Sequence, residues 1–142
     1  MENNLIARSS IVVDAPKEKV WEALVDPKAI KEYMFGANVT TKWREGDPIT
    51  WEGQFDGKRY KDKGEIIKFE PDRTLKYTHF SPLSGEPDRP ENYHTVTIEL
   101  SPDENKTLIT LTQDNNRSEE ARKHSEKNWK KMLTGLQDYI EH

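Results

Sequence analysis

Apolar positions change their spacing three times along the chain, and each change marks a different kind of element. Leu5 to Val13 is rich in Ile, Val and Ser and reads as a first strand, ended by Asp14-Ala15-Pro16. Pro16 suits the first turn of a helix, because its missing N–H would be unpaired there anyway. Lys17 to Val25 follows with Val20, Trp21 and Leu24 on one face. Asp26-Pro27 repeats the device: Asp26 can cap a second short helix through Met34, whose inner face is Ile30, Tyr33 and Met34. Two short helices in series make a V that can close one end of a curved sheet.

From Asn38 the period becomes two. Val39 to Trp43 is a short strand, and Ile49 to Phe55 sets Trp51, Gly53 and Phe55 against Thr50, Glu52 and Gln54. Asp56-Gly57 predicts a tight hairpin, because both central residues of that turn need positive φ. Lys58 to Glu70 is then one long strand with Gly64 inside it, where a glycine marks a bend or bulge that lets a sheet curl. Its apolar pattern slips at Ile66-Ile67, which leaves its inward face open. Thr74 to Phe80 places Leu75, Tyr77 and His79 on one face. Ser81 to Asn92 breaks every period with Pro82, Gly85, Pro87 and Pro90, and reads as a loop. Tyr93 to Leu100 and Thr107 to Gln113 close the meander, with Val96, Ile98 and Leu100 inward, then Ile109, Leu111 and Gln113.

Helical spacing returns from Ser118 to Glu141. Ala121, Ser125, Trp129, Met132, Leu133, Leu136 and Ile140 form one stripe. The other face carries Glu119, Glu120, Arg122, Lys123, Glu126, Lys127, Lys130, Lys131 and Asp138, so it is expected to be wet. Asn116 or Ser118 can cap the start, and Glu119 stands at capping-box spacing from Asn116. Such a helix spans about 36 Å, close to the roughly 33 Å of a ten-residue strand, so it is expected to cover one face of the sheet. Burying its large apolar side chains would contribute roughly 8 to 15 kcal/mol as an upper bound.

Composition narrows the function. At 142 residues the chain is expected to form one domain, residues 1–142. Apolar residues make up 32%, much of it aromatic, so either a few large side chains carry the core and leave gaps between them, or the core is simply thin under a highly charged surface. A net charge of −4 without a basic stripe argues against nucleic acid. The absence of cysteine removes disulfides and thiolate chemistry and suits a reducing compartment. No apolar run reaches a membrane span, and Met1 to Ser10 has no signal-peptide core, so a cytoplasmic protein is expected. There is no nucleophile elbow, phosphate loop or dinucleotide glycine pattern, and the four histidines lack metal-ligand spacing. No cofactor, metal or catalytic residue is assigned. Glu52, Asp62 and Glu65 lie on strands where one could turn inward and act as a general acid or base, although strand carboxylates ordinarily face water.

Several of these stretches together resemble the helix-grip proteins of the SRPBCC superfamily, which includes START domains and birch-pollen-allergen-like proteins. They are Asp14-Ala15-Pro16 with Val20-Trp21-Glu22-Ala23-Leu24, Gly64-Glu65-Ile66 leading to Pro71, Leu75 and Tyr77, Pro90-Glu91 before Thr95-Val96-Thr97, and Trp129 with Leu133 and Leu136. The branch most similar is the C-terminal domain of the activator of heat-shock protein ATPase. One departure is Asn128, where many relatives have Gly before the Trp. The resemblance implies an α+β helix-grip fold: a seven-stranded curved antiparallel sheet wrapped around a long C-terminal helix, with two short helices after the first strand. It also implies an apolar or amphipathic small molecule held between sheet and helix. Trp51, Phe55, Ile98 and Met132 would form the apolar wall, with Tyr33 among the aromatics that line or pack it. Tyr60, Tyr77, His79, His94 and Asn128 would orient a polar end, and the Ser81–Asn92 loop and the helix ending at Met34 would gate access. Two other readings stand beside this one. The first is a co-chaperone-like interaction module with a chaperone partner; the second is a cyclase-like enzyme relying on His79 or Glu52. A monomer and a homodimer are both compatible with the sequence.

Overall fold

The structure, a computed structural model, describes residues 5–142. Its elements are β1 (Leu5–Val13), α1 (Lys17–Leu24), α2 (Pro27–Tyr33), β2 (Asn38–Thr40), β3 (Pro48–Phe55), β4 (Lys58–Glu70), β5 (Thr74–His79), β6 (His94–Asp103), β7 (Lys106–Asn116) and α3 (Glu119–Glu141). The seven strands form one antiparallel sheet in the order β1-β7-β6-β5-β4-β3-β2. Strands β2 to β7 are a simple meander, whereas β1 lies at the far edge beside β7. The α1–α2 pair therefore carries the chain from one sheet edge to the other. This is the α+β helix-grip fold.

Local chemistry sets the turns. Asp56 and Gly57 have φ of 54° and 79°, so the β3–β4 hairpin uses the turn that two positive φ angles define. Asp26 caps α2 by accepting from the Lys28 N–H at 3.0 Å. The slip at Ile66-Ile67 is a β-bulge: Ile66 pairs with Tyr77 and Lys68 with Lys76, which leaves Ile67 as the extra, exposed residue. N-terminal to the bulge, Tyr60, Asp62, Gly64 and Ile66 alternate inward, and this settles the face that the sequence left open.

One open choice is resolved and two expectations need correction. Ser118, not Asn116, caps α3, accepting from the Ala121 N–H at 3.1 Å. Asn116 is still in β7, where its amide donates to the carbonyls of Leu5 and Gln113 and its carbonyl accepts from the Ser125 hydroxyl. β2 is shorter than expected, because Trp43 takes a positive φ of 57° and leaves the strand path. The charged face of α3 is also not wholly wet. Glu126 and Glu141 accept from the N–H groups of Arg8 and Asp14, and Lys130 and Gln137 donate to the carbonyls of Ser10 and Val12. The free edge of β1, which would otherwise invite another strand, is thereby covered.

The core lies between the sheet and the C-terminal half of α3. Ile49, Ile66, Val96, Ile109 and Leu111 meet Leu133 and Leu136, all essentially without solvent contact. α3 leans on β1 and β7 and on the two short helices, rather than covering the sheet evenly. On the β3–β5 side, sheet and helix part.

Candidate functional site

The parting leaves an open hollow of about 650 Å³ between the sheet and the N-terminal half of α3. Its floor is Trp51 on β3, Tyr60 and Asp62 on β4, Tyr77 and His79 on β5, and His94 on β6. His124, Asn128 and Trp129 of α3 form the facing wall. Met34, Phe35 and Ala37, just after α2, and Ser81, Leu83 and Ser84 frame the mouth. A volume of this size is ordinary for a small-molecule site. A larger space of about 790 Å³ lies between the α2–β2 link and the β3–β4 hairpin. Its walls include the exposed chains of Lys31, Asn38, Glu52, Arg59 and Lys61, so it would remove little of a ligand from water.

Two glycines shape the hollow. A Cβ on Gly64 would stand 1.7 Å from the Thr78 carbonyl oxygen, so only glycine lets β4 approach β5 there. Lys63 makes a bridge to Phe80 next to it, and the Glu65 N–H is taken by the Thr78 hydroxyl. At Gly53 a Cβ would meet the Tyr60 hydroxyl at 2.7 Å, so the Tyr60 ring lies across its cross-strand partner.

The polar groups of the hollow are built around one pair. His79 Nε2 stands 2.8 Å from Asp62 Oδ2, with both side chains mostly buried. Asp62 Oδ1 is closed off from solvent with no hydrogen-bond partner among the described residues, so the carboxylate depends on His79. The His79 ring meets Trp51 edge-on at 5.1 Å, and Tyr77 packs on the same indole at 5.1 Å. His94 Nδ1 lies 3.0 Å from the Asp114 carbonyl oxygen. Burial pushes the Tyr77 hydroxyl well above its ordinary value of 10.0, and burial followed by the Asp62 charge raises Tyr60. On the helix side, the Trp129 indole N–H donates to the buried Gln113.

Six of the ten residues singled out from the sequence stand around this hollow: Trp51, Tyr60, Tyr77, His79, His94 and Asn128. Tyr33, Ile98 and Met132 instead line a space of only about 20 Å³ in the packed core beneath Trp51 and Tyr77. The Tyr33 hydroxyl is already used there, donating to the Ala23 carbonyl at 3.2 Å. The side chain of Phe55 lies outside the described residues. Among the three strand carboxylates, Asp62 turns inward, whereas Glu52 and Glu65 are exposed. His124 and Trp129 were not among the expected site residues, and Asp62 was considered only as one of three strand carboxylates that could turn inward. Counting back by twos from Ile66 reaches Asp62, but the sequence does not say which of Ile66 and Ile67 is buried. Among the described residues no group of His, Asp and Glu is arranged to hold a metal ion, and no helix is long and apolar enough to cross a membrane.

A long helix in the curve of an antiparallel sheet, with a V of short helices across one end and a hollow between, defines the helix-grip class of the SRPBCC superfamily. Within it, the chain belongs to the family described as Activator of Hsp90 ATPase homolog 1-like protein, which matches residues 14–141. Among curated proteins nothing matches the sequence. The solution structure of ChR145 from Cytophaga hutchinsonii is 54% identical, with a TM-score of 0.87 over 99% of this chain and 97% of that one. The solution structure of the Aha1 dimer from Colwellia psychrerythraea is 21% identical, with a TM-score of 0.75 over 96% of each chain. Ara h 8.0201, at 10% identity, has a TM-score of 0.76 over 98% of this chain and 99% of that one. The last two likenesses show the fold alone.

Proposed function

We propose that this protein binds a small amphipathic molecule in the hollow between the sheet and the N-terminal half of α3. The observation that carries the reading is a space of about 650 Å³ walled by Trp51, Tyr77 and Trp129, with His79, Asp62 and His94 converging on it. Affinity would come from covering the aromatic wall, and specificity from the few polar groups. Met34, Phe35 and Leu83 would act at the mouth, where Phe35 is 69% and Leu83 50% exposed. Native mass spectrometry of protein purified gently from its own cells tests this. A small mass lost on denaturation supports it, and a consistently bare chain counts against it. Asn128→Leu, on an exposed position of the wall, should change ligand preference without unfolding the protein. Equal binding of every ligand by both forms would exclude a role for Asn128.

The part-buried His79–Asp62 pair supports a second reading, a cyclase-like enzyme in which His79 takes a proton from the bound molecule. Glu52 has no part in it, because it is exposed and faces Lys61 at 3.9 Å. Turnover abolished by His79→Gln with binding retained would favour this reading. The exposed apolar rim and the family relationship support a third reading, an interaction module with a chaperone partner or a second copy. Recovery of a partner only while the hollow is empty would favour that one.

A further inference from the structure

The hydrogen-bonding state of the hollow constrains the polar end of whatever it holds; this inference rests on the binding reading above. A carboxylate can only accept, so with both imidazoles neutral the His79 proton shared with Asp62 sits on Nε2 and leaves a lone pair on Nδ1. The Asp114 carbonyl oxygen can only accept as well, so the His94 proton sits on Nδ1 and leaves a lone pair on Nε2. Two imidazoles on neighbouring strands are thus fixed, by unrelated partners, in tautomers that offer acceptors. Neither lone pair has a partner among the described residues.

Other groups narrow the choice. The Tyr77 ring is 5% exposed and its hydroxyl makes no hydrogen bond among the described residues, so it can donate or accept. No lysine or arginine lines the hollow. An anionic group would therefore lack a fixed counter-charge and would stand near Asp62. An ether or ketone would set its lone pairs against those of the histidines. An ammonium would have to surrender its hydration to a carboxylate with one oxygen closed off and the other already serving His79. The indoles of Trp51 and Trp129 and the ring of Tyr77 suit a flat aromatic body.

We propose that the ligand is an aromatic molecule ending in a hydroxyl that donates to the free Nδ1 of His79, and that Asp62 sets this preference by holding the tautomer. Asp62 is a positioning residue in this scheme, acting through His79.

Calorimetry with four probes tests the proposal: 2-naphthol, 2-methoxynaphthalene, 2-naphthoate and 2-naphthylmethylamine. The wild-type protein should bind naphthol about tenfold more tightly than each of the others, the worth of one well-made hydrogen bond. In Asp62→Asn the amide can donate to Nε2 and release the proton to Nδ1, so naphthol and its ether should come to bind within about twofold of each other. If that variant does not fold, Asp62→Leu/His79→Leu removes the pair without leaving an unpaired charge, and should keep ether binding while losing the naphthol advantage. Equal affinity for naphthol and its ether in the wild type, or tighter binding of the naphthoate or the amine, overturns the proposal and leaves the binding reading standing. An advantage for naphthol that survives in Asp62→Asn removes the role of Asp62, and one that survives in the double variant removes His79 as the acceptor and overturns the proposal. Failure of all four probes to bind overturns both.

Discussion

The two halves of α3 are fastened to the same sheet by different physics. In the C-terminal half, Met132, Leu133, Leu136 and Ile140 are buried among apolar side chains. In the N-terminal half, Ala121, Ser125 and Trp129 are only half buried, and the helix is held by side-chain hydrogen bonds from Ser125 to Asn116 and from Trp129 to Gln113. Apolar burial draws surfaces together until no space is left, whereas a few directional bonds can hold a helix at a distance. One helix therefore serves as core at one end and as the wall of a hollow at the other.

The bend that opens the second end is the most vulnerable point. Gly64→Ala would drive its new methyl group into the Thr78 carbonyl oxygen, with 1.7 Å where about 3.5 Å is needed, and no side chain can move aside to relieve it. Either β4 leaves β5 or the chain does not fold. The expected loss exceeds about 4 kcal/mol, read by urea denaturation. A soluble variant with normal stability would show that the curl does not depend on this approach.

At the dry end the largest response comes from Leu133, which has no solvent contact. Leu133→Ala should cost about 2 to 5 kcal/mol, with the upper part of that range favoured if the surrounding side chains cannot close the space. A cost below about 1 kcal/mol would mean that the packed end is as yielding as the open one.

Much of this contrast was legible in the chain, and the remainder was not for identifiable reasons. β4 falls on its expected boundaries and β1 ends at Val13 as expected, because turn residues stand at those ends. The apolar stripe of α3 was visible too, including its change from Ala121 and Ser125 at one end to Leu133 and Leu136 at the other. The inward turn of Asp62 was hidden, because the alternation of β4 is read from Ile66 and the bulge at Ile67 scrambles it. The bonds from Glu126, Lys130, Gln137 and Glu141 to β1 were hidden differently. They depend on which sheet edge the helix lies against, and no local period reports that. The split of the candidate residues has the same origin: Tyr33, Ile98 and Met132 have the same composition as a cavity wall, and only tertiary distance decides that they fill the space.

Two tyrosines allow the contrast to be titrated. Burial raises both Tyr33 and Tyr77 above the ordinary value of 10.0; the neighbouring Tyr77, Asp26 and Tyr139 add to the shift at Tyr33. Above that pH the unfolded chain gives up these protons and the folded chain keeps them. Their contribution to stability is thus complete below about pH 10 and is lost as the pH rises, by about 1.4 kcal/mol per pH unit for each tyrosine that stays protonated. Urea melts from about pH 9 to about pH 11 should show this slope, and Tyr33→Phe should remove one tyrosine's share. Tyr77 borders the hollow as well as the core, so it should ionise before Tyr33 in an ultraviolet titration. The reverse order would mean that the hollow is the drier of the two spaces.

The smallest expected effect has the opposite sign and tests how tightly the dry end is closed. Gly135 lies within α3, where it faces Tyr33 of α2. A Cβ added there would lie 3.5 Å from the Tyr33 Cβ and 3.6 Å from its Cα and carbonyl oxygen, which are ordinary contact distances. Its φ is not in the left-handed region, so alanine meets no backbone strain. Glycine in a helix interior loses more conformational freedom on folding than alanine does. Gly135→Ala should therefore stabilise the protein by about 0.5 to 1 kcal/mol in the same urea melts. A loss instead would show that α2 and α3 touch more closely than these distances indicate, with no room for one more methyl group in the packed half of the helix.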